Sequence, residues 1–284
     1  MYTPARLAEL VPFPVRDCHK YSRGKAVVVA GSSAYPGAAL LSSWASQLCG
    51  AGYTEVFTSR SNKALIQMAR PSLVVRCVSD CSFADVFASL YPGACLVGPG
   101  IDPADHEMHA VLSKALKKVE KPLVIDGGAL SLLAEEKVYD LVRKRFRKNR
   151  LTVLTPHAGE AARLAAPFGI DGSDQQSCAR SLARCYGAVV VYKGPETVIT
   201  DGDVSDVFTE GTPALAKAGT GDVLAGIITS LLAQGLTALD AANLGVAIHG
   251  RAGNVACERV GMVSVCAEDV LDAVPAAIRL IASA

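Results

Sequence analysis

Short, almost uninterrupted apolar runs alternate with longer stretches of helical composition over most of this chain. That alternation narrows the fold more than any other feature. The runs fall at residues 25–30, 53–58, 73–77, 94–97, 123–126, 151–154 and 188–192. A strand exposed on one face alternates apolar with polar residues, whereas continuous apolar runs belong to strands covered on both faces of a parallel sheet. Between them, residues 38–49, 104–119, 129–146 and 173–186 have the length and composition of helices. Together they predict a three-layer α/β sheet with right-handed crossovers. The pattern then changes: residues 196–200 and 204–209 read as an antiparallel hairpin about Asp201-Gly202-Asp203, and 221–234, 238–259 and 267–281 read as helices. No repeat, low-complexity stretch or linker interrupts the chain, so residues 1–284 are expected to form one domain.

Ligands of such sheets sit outside the carboxyl ends of the strands, which directs attention to the residues that follow each run. After the first comes Gly31-Ser32-Ser33-Ala34-Tyr35-Pro36-Gly37-Ala38-Ala39, small enough for a ligand to approach, though equally a tight turn before a helix. It matches neither a dinucleotide fingerprint nor a Walker A loop. Gly98-Pro99-Gly100 and Asp126-Gly127-Gly128 make two further corners poor in Cβ atoms. Thr155-Pro156-His157-Ala158-Gly159-Glu160 sets His157 and Glu160 three apart at a helix start, where both can face a cleft. Two ligands without a third do not make a zinc site, and a structural histidine is the alternative. In Lys193-Gly194-Pro195-Glu196-Thr197 the lysine is placed to meet a phosphate or, equally, to be an exposed hairpin residue.

The most chemical of these segments is Ala218-Gly219-Thr220-Gly221-Asp222, followed at once by an apolar helical run. A helix N-terminus offers unpaired N–H groups and partial positive charge to an anion. Gly219 and Gly221 let the backbone come close to it. A carboxylate beside such a hole is costly unless it acts on something, and Asp222 reads as a general base for a hydroxyl attacking a phosphoryl group. An ordinary acidic first-turn residue is the alternative.

Composition removes other classes. A net charge of +1 gives no electrostatic case for nucleic acid or an anionic membrane as partner. The one basic cluster, 143–150, ends an expected helix and reads as a solvated terminus. Nine cysteines without a C-x-x-C pair (Cys77 and Cys81 are the closest), several in apolar stretches, read as reduced core thiols. With no secretory leader at the amino terminus and no apolar run of membrane-spanning length, a cytoplasmic setting is expected.

The strand-end motifs, read together, resemble the ribokinase-like superfamily, a three-layer α/β/α fold with a mostly parallel sheet. Within it the chain is most similar to the ADP/ATP-dependent NAD(P)H-hydrate dehydratases. The likeness rests on Tyr35-Pro36-Gly37-Ala38, Leu154-Thr155-Pro156-His157-Ala158-Gly159-Glu160, Lys193-Gly194-Pro195-Glu196-Thr197-Val198-Ile199 and the segment from Ala218 to Gly226. Ala247-Ile248-His249-Gly250-Arg251-Ala252-Gly253 also fits. Departures occur at Gly127, Gly128 and Ser131, at Lys217-Ala218, and in residues 212–216.

The resemblance implies a lyase that repairs NADH or NADPH hydrated at C6, phosphorylating the hydroxyl from ADP or ATP and then eliminating phosphate. Asp222 would be the base. Lys193, Gly194, Pro195, Glu196, Thr197, Gly219, Thr220 and Gly221 would contact the nucleotide; Ala38, Gly100, His157 and Asp222 would face the hydrate. Mg²⁺ held mainly by phosphates and water is expected, with Glu160 behind it and no dedicated protein metal site. A homo-oligomer, a tetramer by resemblance, is expected without a fused epimerase domain, since about 20 residues precede the first strand. An alcohol kinase of the same fold, or a nucleotide-binding regulator without turnover, are the competing readings.

Overall fold

A computed structural model describes residues 2–80, 92–102 and 106–284, with the side chains of 106–109 outside that description. Cys81 and the first two residues of the helix expected at 104–119 lie outside the described residues.

Among the described residues nine strands form one sheet: β1 (Lys25–Val29), β2 (Tyr53–Thr58), β3 (Val74–Cys77), β4 (Gly93–Val97), β5 (Leu123–Ile125), β6 (Thr152–Leu154), β7 (Val189–Tyr192), β8 (Thr197–Thr200) and β9 (Ser205–Phe208). Their order is β3-β2-β1-β4-β5-β6-β7-β8-β9, parallel through β7 and antiparallel for β8 and β9. Successive residues of one strand enter opposite cores. Ala26, Val28 and Ala30 join one cluster, Val27 and Val29 the other; Leu96 and Val124 oppose Cys95, Val97, Leu123 and Ile125 in the same way. Two apolar faces per strand explain why the runs lack polar alternation.

One face is covered by α1 (Pro4–Leu10), α2 (Pro36–Leu48), α9 (Thr220–Ala233), α10 (Ala238–Val260) and α11 (Ala267–Ala282). The other lies under α4 (His106–Lys118), α5 (Gly128–Leu132), α6 (Glu136–Arg147), α7 (Ala158–Ala165) and α8 (Gln175–Tyr186); α3 (Lys63–Ala69) packs beside β3. Helix α9 is buried on every side, as a helix apolar all round must be. It lies across β4, β1 and β5 and against α2, where a Cβ on Gly226 would stand 2.1 Å from the Ser42 carbonyl oxygen. Ser46 Oγ, by donating to the Gly226 carbonyl at 2.9 Å, fixes the contact.

Two expectations change. Residues 129–146 are two helices, α5 and α6, because the chain turns at Leu133–Glu135 and restarts on the extended Glu135. The turn keeps Leu132 and Leu133 in the core while α6 buries Val138, Val142 and Arg145 on one side. The basic cluster is also not wholly solvated. Arg145 is buried, and its guanidinium donates to Thr152 Oγ1 and to the carbonyls of Val119, Lys121 and Leu151. Burial lowers its pKa to about 10. The planar fork satisfies oxygens left at a helix end and two strand approaches, which a lysine could not span.

Candidate active site

The parallel strands all end on one edge, and backbone hydrogen bonds lace the loops there into a continuous rim. Gly31 N donates to Pro99 O at 2.8 Å, Gly98 N to Val29 O at 3.1 Å, Asp126 N to Val97 O at 3.1 Å, Thr155 N to Ile125 O at 3.2 Å and Lys193 N to Pro156 O at 2.8 Å. The strand order reverses between β1 and β4, so a crevice opens there. Ala38 and Gly100 meet at that point: a Cβ on Gly100 would lie 2.6 Å from Ala38 Cβ and 2.9 Å from Tyr35 O, and its φ of +63° already favours glycine.

The charged centre is built from four elements. Lys193, at the end of β7, donates from Nζ to Asp126 Oδ1 at 2.8 Å and stands 3.8 Å from Glu160 Oε2. Thr155 Oγ1 donates to the same Asp126 oxygen at 2.6 Å. The ammonium is neither an exposed hairpin group nor free: 20% of the side chain is accessible, against 3% for Asp126 and 7% for Glu160. Burial works against its charge, and the Asp126 and Glu160 carboxylates overcome that and hold it above the ordinary lysine value. Gly221 comes to the same place, since a Cβ there would be 3.4 Å from Lys193 Nζ.

Asp222 lies in the first turn of α9, whose N-cap Gly219 has φ +93°. Burial, aided by the Asp126 charge and opposed by Lys193, pushes its pKa up to about 7. A carboxyl so placed gains and loses a proton near neutrality, which suits a general base. The Thr220 hydroxyl is committed elsewhere, donating to Leu215 O at 2.6 Å and Lys217 O at 2.9 Å. Thr220 can therefore offer a ligand its backbone alone, while its side chain braces the loop that precedes the helix.

His157 caps α7. Its Nδ1 accepts from Gly159 N at 3.0 Å, and Glu160 Oε2 accepts from His157 N at 2.8 Å, closing a capping box. The ring is 56% exposed, with Nε2 3.5 Å from Glu160 Oε1. The structural alternative is seen in this cap, and the ring itself is exposed at the helix start. Burial raises the Glu160 pKa against the pull of Lys193. Gly194, Pro195 and Glu196 form the exposed start of the hairpin, and Gln175 Nε2 ties it down by donating to Tyr192 O at 3.2 Å and Glu196 O at 2.9 Å. Among the described residues no three His, Cys, Asp or Glu side chains converge as a metal site.

Three contributors were not singled out from sequence as site residues: Asp126, Gln175 and His249. Asp126 carried the signal of an acid ending an apolar run. His249, in mid-helix α10, stands 2.9 Å through Nε2 from the Thr220 carbonyl oxygen, a contact between two helices that no local pattern announces.

The family model described as NAD(P)H-hydrate dehydratase matches residues 26–276. The chain is 31% identical over 281 residues to the ADP-dependent (S)-NAD(P)H-hydrate dehydratase of Cenarchaeum symbiosum, covering 95% of this chain and 94% of that protein. It is 34% identical over 282 residues to the bifunctional NAD(P)H-hydrate repair enzyme Nnr of Thermofilum pendens (strain DSM 2475 / Hrk 5), covering 95% of this chain and 53% of that protein, about half its length. A crystal structure of the ADP/ATP-dependent NAD(P)H-hydrate dehydratase of Bacillus subtilis, co-crystallized with ATP/Mg²⁺, superposes with a TM-score of 0.84 at 25% identity, covering 99% and 98% of the two chains.

Proposed function

As the chain belongs to the NAD(P)H-hydrate dehydratase family, we propose that it converts the S-epimer of hydrated NADH or NADPH back to the reduced cofactor, consuming ADP or ATP. The observation that carries this reading is the half-buried carboxylate of Asp222, in the first turn of α9 and within the field of Lys193. Asp222 takes the proton of the C6 hydroxyl as its oxygen attacks the terminal phosphorus, and AMP leaves if the donor is ADP. The C6–O bond then breaks with inorganic phosphate departing, pushed by the ring nitrogen lone pair, and a proton lost from C5 restores the dihydropyridine. Backbone N–H groups from Gly219 to Asp222 hold charge on the transferred group, and Lys193 with Gly194–Thr197 holds the nucleotide. Ala38, Gly100 and His157 position the hydrate. Positioning and electrostatics supply nearly all the acceleration.

A hard cation fits this site as one held mostly by nucleotide phosphates and water, because Lys193 already engages the nearby carboxylates. Mg²⁺ bound in that way neutralises phosphate charge, with Glu160 the nearest candidate behind it. ADP is favoured as donor by the name of the Cenarchaeum symbiosum relative. A cytoplasmic homotetramer completes the reading. Asp222→Asn keeps the shape and loses the base: turnover should fall by about 10²–10⁴-fold, with nucleotide affinity by calorimetry expected to stay nearly unchanged. A variant that keeps more than half the wild-type rate removes Asp222 from that role.

A further inference from the structure

Helix α10 brings a buried imidazole to the start of α9. His249 Nε2 lies 2.9 Å from the Thr220 carbonyl oxygen. A carbonyl only accepts, so Nε2 carries the proton. Thr220 C=O and Gly221 N–H belong to one planar amide, and every described peptide bond is trans. In a trans amide the two groups point in opposite directions. The bond from His249 therefore aims the Gly221 N–H away from α10, out of the helix start. We propose that His249 is a positioning residue: it orients and polarises the Thr220–Gly221 peptide so that the Gly221 N–H is presented to the transferred phosphoryl group. The proposal rests on the phosphoryl-transfer reading above.

Other features agree. Burial, with Lys193 acting in the same direction and the Thr220 bond opposing, lowers the His249 pKa to about 4. A neutral ring donates steadily across the working pH range. The Thr220 hydroxyl clamps the preceding loop through Leu215 O and Lys217 O, so the amide is held from both sides. A chain of hydrogen bonds strengthens each member, by about 10–30%. One preorganised donor of this kind contributes about 10²–10³ to turnover. Loss of its support is expected to cost about two- to eightfold in kcat, with a smaller change in nucleotide KM.

The test compares His249→Phe, which keeps the ring volume without a donor, with His249→Gln, whose amide N–H reaches toward the same oxygen. His249→Phe should lose about two- to eightfold in kcat, and His249→Gln should recover at least half of that loss. Wild-type kcat in the Phe variant, or a Gln variant no better than Phe, overturns the proposal. Should His249→Phe fail to fold, the nitrogen NMR of the wild type decides: a neutral ring protonated at Nε2 between pH 6 and 8 supports it, and an Nδ1–H tautomer overturns it. If the wild type leaves the hydrate unconverted, the dehydratase reading falls separately, and the tautomer still reports whether His249 holds the peptide.

Discussion

Burial and the neighbouring Asp126 charge hold the Asp222 carboxyl up to about 7, so its protonation should govern the rate in the neutral range. A base must be unprotonated to act, and kcat/KM should fall about tenfold per pH unit below that point and level off above it. Asp126→Asn removes a negative charge that raises the Asp222 pKa and releases Lys193 to lower it. The acidic limb should then move to lower pH in the variant, while ionisation of the nucleotide phosphates stays common to both proteins. A limb that stays put or moves up would separate the two carboxylates. The places of Asp222, Lys193 and His157 at a strand end or helix start were legible in sequence. The role of Asp126 was not, since it depends on Thr155 and Lys193 arriving from two other strands.

Elements position these residues, and α9 does so most directly. Its burial from Val223 to Ala233 leaves the Gly219–Asp222 turn little freedom, and the α2–α9 contact depends on the missing side chain at Gly226. Gly226→Ala would force a Cβ to within 2.1 Å of the Ser42 carbonyl oxygen. Overpacking costs about 1–3 kcal/mol, and a rigid backbone neighbour puts this case at the upper end. Thermal unfolding should show Tm lower by about 5 °C; an unchanged Tm would mean the helices separate without cost. The strands and long helices could be read from sequence because two-sided burial and amphipathic length leave strong periodic marks. The short helices α1 and α3 and the break at Leu133–Glu135 could not, because a segment of one or two turns is decided by packing rather than propensity.

At the scale of the whole molecule, sheet order turns separated motifs into one site. The reversal between β1 and β4 brings Ala38 to Gly100, and the parallel run through β7 carries Lys193 to Asp126 and to the start of α9. Sequence position alone scatters these residues from 38 to 222; knowing that strand ends share an edge gathers most of them, but not His249 behind α9. Among the described residues no helix is long and apolar enough to cross a membrane. Dehydration coupled to phosphoryl transfer is open to one direct assay. The protein is incubated with the S-epimer of hydrated NADH, Mg²⁺ and ADP, then with ATP in place of ADP, following the reduced-nicotinamide absorbance band and released phosphate. Recovery of that band with one phosphate per NADH, dependent on nucleotide, is the expected result. A stable phosphorylated product with no recovered absorbance, or nucleotide binding without turnover, would contradict it.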